Sequence, residues 1–326
     1  MEPTLRPMTA SQVLDRTFYL YRSNFILFMG IALIVPALRL VVMVGQLAWM
    51  GPMPVMEPGQ LDPKLMQAFV AWVLVNAVAG LVIFTAGNAL ASSATAYAVS
   101  VVHLGRSTTI AESYRRVAPI FGRILWLVVR VFWWCTWPIL LSYFFVFGMA
   151  FLLPQLTKGS AGIGVALLAI AFVLLLIVGL MAGLVWFFYA YCRYSLAVPA
   201  CTVESLPAKQ SMLRSKFLTT GSMGRILGIY LLTVLMTTIL TTVLEMPILM
   251  SHNIFTPQGQ KGMTLAAHVW LQIAQFAGGA LAGPIATIAM AVVYYDQRVR
   301  KEAFDLQIMM QAIGGAGAAT RPETIQ

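Results

Sequence analysis

Charge is the first thing this chain lacks. Asp, Glu, Lys and Arg make up 10% of its 326 residues, while 60% are apolar. Soluble domains carry about a quarter of charged residues. So few charges cannot cover a compact body of this size. Soluble-enzyme, disordered and collagen-like classes are excluded, and an integral membrane protein is expected. Cysteine and histidine are scarce too. Cys135, Cys192 and Cys201 are an odd number without metal-type spacing, which argues against a disulfide framework or a zinc site. His103, His252 and His268 are isolated and read as interfacial residues. Catalytic signatures are missing as well: no Gly-x-Ser-x-Gly, no His-Glu-x-x-His, no phosphate-binding glycine loop and no Cys-x-x-Cys. No catalytic residue, cofactor or metal ligand is therefore assigned.

Long apolar runs are what the sequence has. A bilayer core needs about 20 apolar residues per helix, and six runs qualify: 25–49, 66–92, 124–153, 163–191, 226–250 and 267–295. The first lies too far in for a secretory signal and is expected to stay in the mature protein. Basic residues set the orientation. One set of segments holds sixteen of the 21 Lys and Arg: Arg6, Arg16 and Arg22; Arg106, Arg115, Arg116 and Arg123; Arg193, Lys209, Arg214, Lys216 and Arg225; Arg298, Arg300, Lys301 and Arg321. The three loops between them hold only Lys64, Lys158 and Lys261, while Arg39 and Arg130 fall inside spans. The expectation is an even span count in a bacterial cytoplasmic membrane, with both termini cytoplasmic. Eight acidic residues share the basic side, leaving it +8 of the chain's +10. Arg16, Arg22, Arg115, Arg116, Arg123, Arg214, Lys216, Arg298, Arg300 and Lys301 are the expected contacts to anionic headgroups or to a membrane or cytoplasmic protein partner. Nucleic-acid binding is not expected, because no soluble basic module exists.

Similar short polar segments precede the three outward spans. They read Thr9-Ala-Ser-Gln12 then Arg16, Thr109-Ile-Ala-Glu112 then Arg116, and Pro207-Ala-Lys-Gln210 then Arg214. Thr followed three residues later by Gln or Glu is a capping box, and Pro suits the first helical turn. Leu14, Phe18, Tyr21 and Phe25 form an apolar stripe in the first, and Tyr114, Val117, Phe121 and Leu125 in the second. Such helices suit the headgroup plane. The spacing predicts an all-α, six-span domain over 1–312, in three units of interfacial helix plus hairpin at about 9–104, 109–205 and 207–310. A helix stripe of Val299, Ala303, Leu306 and Met310 precedes a flexible tail at 313–326. The proline-free stretch 65–104 predicts a helix of about 60 Å.

The segments Leu5-Arg6-Pro7-Met8-Thr9, Leu14-Asp15-Arg16 and Tyr19-Leu20-Tyr21-Arg22-Ser23-Asn24-Phe25 resemble a widespread group of uncharacterised bacterial membrane proteins. So do Val198-Pro199-Ala200 with Glu204 and Leu213-Arg214-Ser215-Lys216, and the run Tyr294-Tyr295-Asp296-Gln297-Arg298-Val299-Arg300-Lys301-Glu302-Ala303-Phe304-Asp305. This group is similar to the membrane domain attached to some glycerophosphoryl diester phosphodiesterases. The resemblance implies a six-span membrane domain. It does not imply phosphodiesterase activity, because in the fused proteins that chemistry lies in a separate soluble barrel.

Intramembrane polar residues are the default place for function. Arg39 and Glu245 lie at similar depth in spans one and five. They form either a pair or two side chains that snorkel to the interface. Asn76 and the run Gly278-Gly279-Ala-Leu-Ala-Gly283-Pro284 mark either a solute path with a broken span-six helix, or helix packing and a kink. Two functions follow from these alternatives. One is a non-enzymatic scaffold or regulatory, lipid-interacting protein. The other is a transporter or channel for a small or lipidic solute. A membrane-embedded enzyme lacks a constellation.

Overall fold

The computed structural model describes residues 7–51, 63–103, 105–156, 163–251 and 265–302. The expected stripe out to Met310, the tail and His252 lie outside the described residues. All described secondary structure is helical. In chain order the helices are α1 (Ala10–Ser23), α2 (Phe25–Ala32), α3 (Ile34–Met50) and α4 (Pro63–Val82). A π-helical turn (Ile83–Gly87) leads into α5 (Asn88–His103), and α6 (Ile110–Val117) follows. Then come α7 (Phe121–Leu156), α8 (Ile163–Tyr194), α9 (Ala197–Val203), α10 (Ala208–Thr219), α11 (Met223–Ser251) and α12 (Leu265–Glu302). Six stretches are long and apolar enough to cross a membrane: Phe25–Met50, Pro63–His103, Ile110–Phe145, Ile170–Val203, Met223–Pro247 and Val269–Glu302. Each overlaps one of the six expected runs, with ends that differ by up to 14 residues at Ile110. The protein is a multi-pass, all-helical membrane protein.

The short helices begin as their sequences dictate. Thr9 Oγ1 accepts the Gln12 N–H (3.3 Å) and Gln12 Oε1 accepts the Thr9 N–H (2.9 Å), which completes a capping box. Thr109 Oγ1 accepts the Glu112 N–H at 3.2 Å, but the Glu112 carboxylate takes the Thr108 hydroxyl instead of closing the box. Pro207 caps α10 by its extended backbone alone. Four residues beyond each cap, Val13, Ser113 and Ser211 are buried; eight beyond, so are Thr17, Val117 and Ser215. The face turned to the protein in α1 is therefore Val13, Thr17 and Leu20, one residue away from the expected stripe of Leu14, Phe18, Tyr21 and Phe25. Short and β-branched side chains allow close approach between helices. The aromatic rings of Phe18, Tyr19 and Phe25 stay exposed.

α12 is the axis of the fold. Ile288 through Gln297 are buried without interruption, as in a helix surrounded on all sides. In its most apolar window 61% of residues are buried, against none in that of Pro63–His103. Hydrocarbon is as apolar as leucine, so packing and polar satisfaction hold these helices together. Pro284 denies the Ala280 carbonyl its intrahelical donor, and the Tyr21 hydroxyl bonds the adjacent Leu281 carbonyl at 2.7 Å. Pro36 does the same to Ala32, and the Tyr114 hydroxyl donates to the adjacent Ile31 carbonyl. α7 and α8 form a hairpin in which Gly183 admits Ile139 and Trp186 Nε1–H donates to the Trp134 carbonyl at 3.0 Å. α4 buries no residue. The molecule is tight at the end carrying α1, α6 and α10, here called the basic end, and looser at the opposite end beside α4.

Candidate functional site

Two polar assemblies stand out, one at each end. At the basic end, α12 delivers Asp296 into a site where its side chain has no exposure. Asp296 accepts the Met8 N–H at 2.7 Å, Arg225 Nη1 at 2.7 Å and Arg300 Nε at 2.9 Å. Arg225 and Arg300 also donate to the Met8 carbonyl. A second knot alternates in sign. Glu204 takes Arg214 Nε on both oxygens at 3.0 Å and the Tyr294 hydroxyl at 2.5 Å. Glu302 takes Arg214 and, at 3.2 Å, Arg298. Burial pulls the Arg214 guanidinium down, but its bonds to Glu302 and Glu204 carry it above its ordinary value. Lys301 Nζ donates to the Phe217 and Thr220 carbonyls at 2.6 and 2.7 Å, capping the end of α10.

These bonds divide the expected headgroup contacts. Arg214, Arg298, Arg300 and Lys301 hold the protein together. Arg123 donates to the Ser205 carbonyl at 2.8 Å, and Arg16 lies over the Tyr19 ring at 5.4 Å. Arg22, Arg115, Arg116 and Lys216 are exposed. Tyr294→Phe removes one donor from the Glu204 carboxylate and is expected to cost about 1.5 kcal/mol. A thermal-shift measurement on purified protein checks this, and the drop should be far smaller than for loss of Asp296.

The second assembly is a cleft of about 760 Å³ among α3, α4 and α12. Its walls are mostly aliphatic, but Arg39, Gln46, Asn76, Asn88, Gln272 and Gln275 also line it. Helical spacing explains the row. Arg39 and Gln46 are seven residues apart, so they share a face of α3. Asn76, Gly80 and Ile83 share a face of α4 by the same rule. Asn88 lies twelve residues past Asn76, which in a regular helix puts it roughly 120° away. The π turn at Ile83–Gly87 absorbs one residue and returns it to about 20°. Gln46 Nε2 and Asn76 Nδ2 both donate to the Trp72 carbonyl, at 3.4 and 3.0 Å. Among the described residues, nothing bonds the side chains of Arg39, Asn88, Gln272 or Gln275.

The structure thus brings Arg39 and Asn76 to one cleft, and α12 contributes its Gln272–Gln275 turn. It does not join Arg39 to Glu245: no ion pair links them among the described residues, and Glu245 lies on α11, outside the cleft. α12 runs unbroken through Gly278–Pro284. Gly278 and Gly279 face Thr241 and Pro36, so these glycines serve packing between helices, and Gly283 meets Ala32 more loosely. Sequence reasoning missed Gln46, Asn88, Gln272 and Gln275. The available signal was carboxamide spacing inside apolar runs. No family model, curated protein or solved structure matches this chain.

Proposed function

We propose that this protein is a non-enzymatic component of the bacterial cytoplasmic membrane, with both termini in the cytoplasm, and that it works as a lipid-binding scaffold or regulatory protein. One observation carries the reading: the α3–α4–α12 cleft presents Arg39 and five carboxamides within spans, between aliphatic walls. Polar groups at that depth need a partner other than hydrocarbon. An amphipathic lipid supplies acceptors for the amides and chains for the aliphatic wall. The exposed Arg22, Arg115, Arg116 and Lys216 support a second contact, with anionic headgroups at the cytoplasmic face.

The architecture reads as three units over about 9–104, 109–205 and 207–310. The matched burial of Val13, Ser113 and Ser211, and of Thr17, Val117 and Ser215, supports it. Exposed Phe18, Tyr19, Leu213 and Phe217 beside basic residues support a headgroup-plane position for α1 and α10. Movement of a lipidic solute across the bilayer is the second reading. It is favoured by the π turn, which leaves α4 a pivot beside the cleft.

Photo-cross-linking in reconstituted vesicles tests the main reading. A phospholipid with a photoreactive acyl chain should label peptides from α3, α4 and the start of α12. Labelling confined to the α7–α8 hairpin would show only perimeter lipid and defeat it. Vesicles carrying a fluorescent lipid separate the readings: protein-dependent exchange between leaflets would favour movement over binding.

A further inference from the structure

We infer that the cleft seats the phosphate diester of an anionic glycerophospholipid on Arg39, an inference that rests on the lipid-cleft reading above. Among the described residues, Arg39 is the sole charged residue of the lining, and no carboxylate faces it there. No ion pair reaches it among the described residues. A guanidinium inside a span seeks an anion, and its planar fork matches two phosphate oxygens.

Depth agrees with this. Arg39 lies 14 residues beyond Phe25, the start of its span, so it stands about 21 Å along a core about 30 Å thick. That places Arg39 in the half of the core away from the basic end, about 9 Å below that interface, within reach of a headgroup drawn into the cleft. Gln46, two turns further along the same face, meets the polar end of such a lipid. Asn76, Gln272 and Gln275 offer amide donors to its phosphate and ester oxygens. The cleft volume of about 760 Å³ suits a headgroup with its glycerol and the first carbons of its chains.

The test is native mass spectrometry of the full chain in mild detergent. It is titrated with phosphatidylglycerol, with a diacylglycerol of the same chains, and with soluble glycerol 3-phosphate as competitor. The tightest phosphatidylglycerol adduct should bind about ten-fold better than diacylglycerol, the scale of one charge-assisted contact. Arg39→Gln should abolish that preference, Arg39→Lys should keep part of it, and Arg130→Gln, at an exposed arginine outside the cleft lining, should leave it intact. Arg39 holds no side-chain bond among the described residues, so both Arg39 variants should retain their thermal midpoint. Four results overturn the inference. If diacylglycerol binds as well as phosphatidylglycerol, the phosphate assignment falls while the lipid cleft stands. If the tight adduct is lost in Arg115→Gln/Arg116→Gln but survives Arg39→Gln, the anion site is at the basic end. If glycerol 3-phosphate displaces the lipid at equal concentration, the ligand is a soluble phosphate. If no lipid is retained, the cleft reading itself fails.

Discussion

Asp296→Asn should lower the thermal midpoint of the purified protein by roughly 10 °C, more than loss of any other single side chain at the basic end. The reason is connectivity. Asp296 has no side-chain exposure, and one carboxylate serves α11 through Arg225, α12 through Arg300 and the start of the chain through Met8. Removing the charge leaves two guanidinium groups converging on a neutral amide and on the Met8 carbonyl. Breaking a buried pair from one side costs about 3–5 kcal/mol, because the partner keeps its desolvation penalty without its counter-charge. Glu302→Gln acts on a knot with more solvent contact and should shift the midpoint by less. Equal shifts for the two variants, measured by fluorescence-detected unfolding in one detergent, would contradict this ranking.

Gly278→Val should separate α11 from α12 and leave little folded protein in mild detergent. A Cβ at Gly278 would lie 2.8 Å from Thr241 Cγ2 and 3.5 Å from Thr241 Cα. The nearer atom belongs to a β-branched residue with few χ1 options in a helix, and the further one is backbone. Overpacking of a tight contact costs about 1–3 kcal/mol even for one added methyl, and Val adds three carbons. Gly283→Ala gives the contrast. Its new Cβ would meet Ala32 Cβ at 3.7 Å, an ordinary contact, so it should be tolerated. Size-exclusion profiles of the two variants check the pair. A monodisperse Gly278→Val protein with the wild-type midpoint would show that the helices can part without cost.

Much of the fold is legible in the sequence because lipid imposes it. Every spanning segment must satisfy its own backbone, so length and apolarity reveal the six spans. The Thr9 capping box is equally local. Other features depend on which face meets protein and which meets lipid, and apolar residues suit both. That is why α1 turns Val13, Thr17 and Leu20 inward while a stripe containing Phe18 and Phe25 reads as its apolar side. The basic end misleads for a related reason. Arg298 and Arg300 look like headgroup contacts until Glu204 and Asp296 are brought beside them, and Arg214 meets Glu302 across 88 positions of sequence. Arg39 and Asn76 are visible as isolated intramembrane polar residues. Their shared cleft is not, because it needs three spans and a π turn that no local motif announces.

An experimental structure in a lipid nanodisc of phosphatidylglycerol and phosphatidylethanolamine is the most direct test of the lipid cleft. The account predicts lipid-shaped density between α3, α4 and α12, with its headgroup within hydrogen-bond distance of Arg39 and chains along the aliphatic wall. Closure of α4 onto α12 with Gln272 and Gln275 bonded to protein groups, and lipid only around the perimeter, would contradict it.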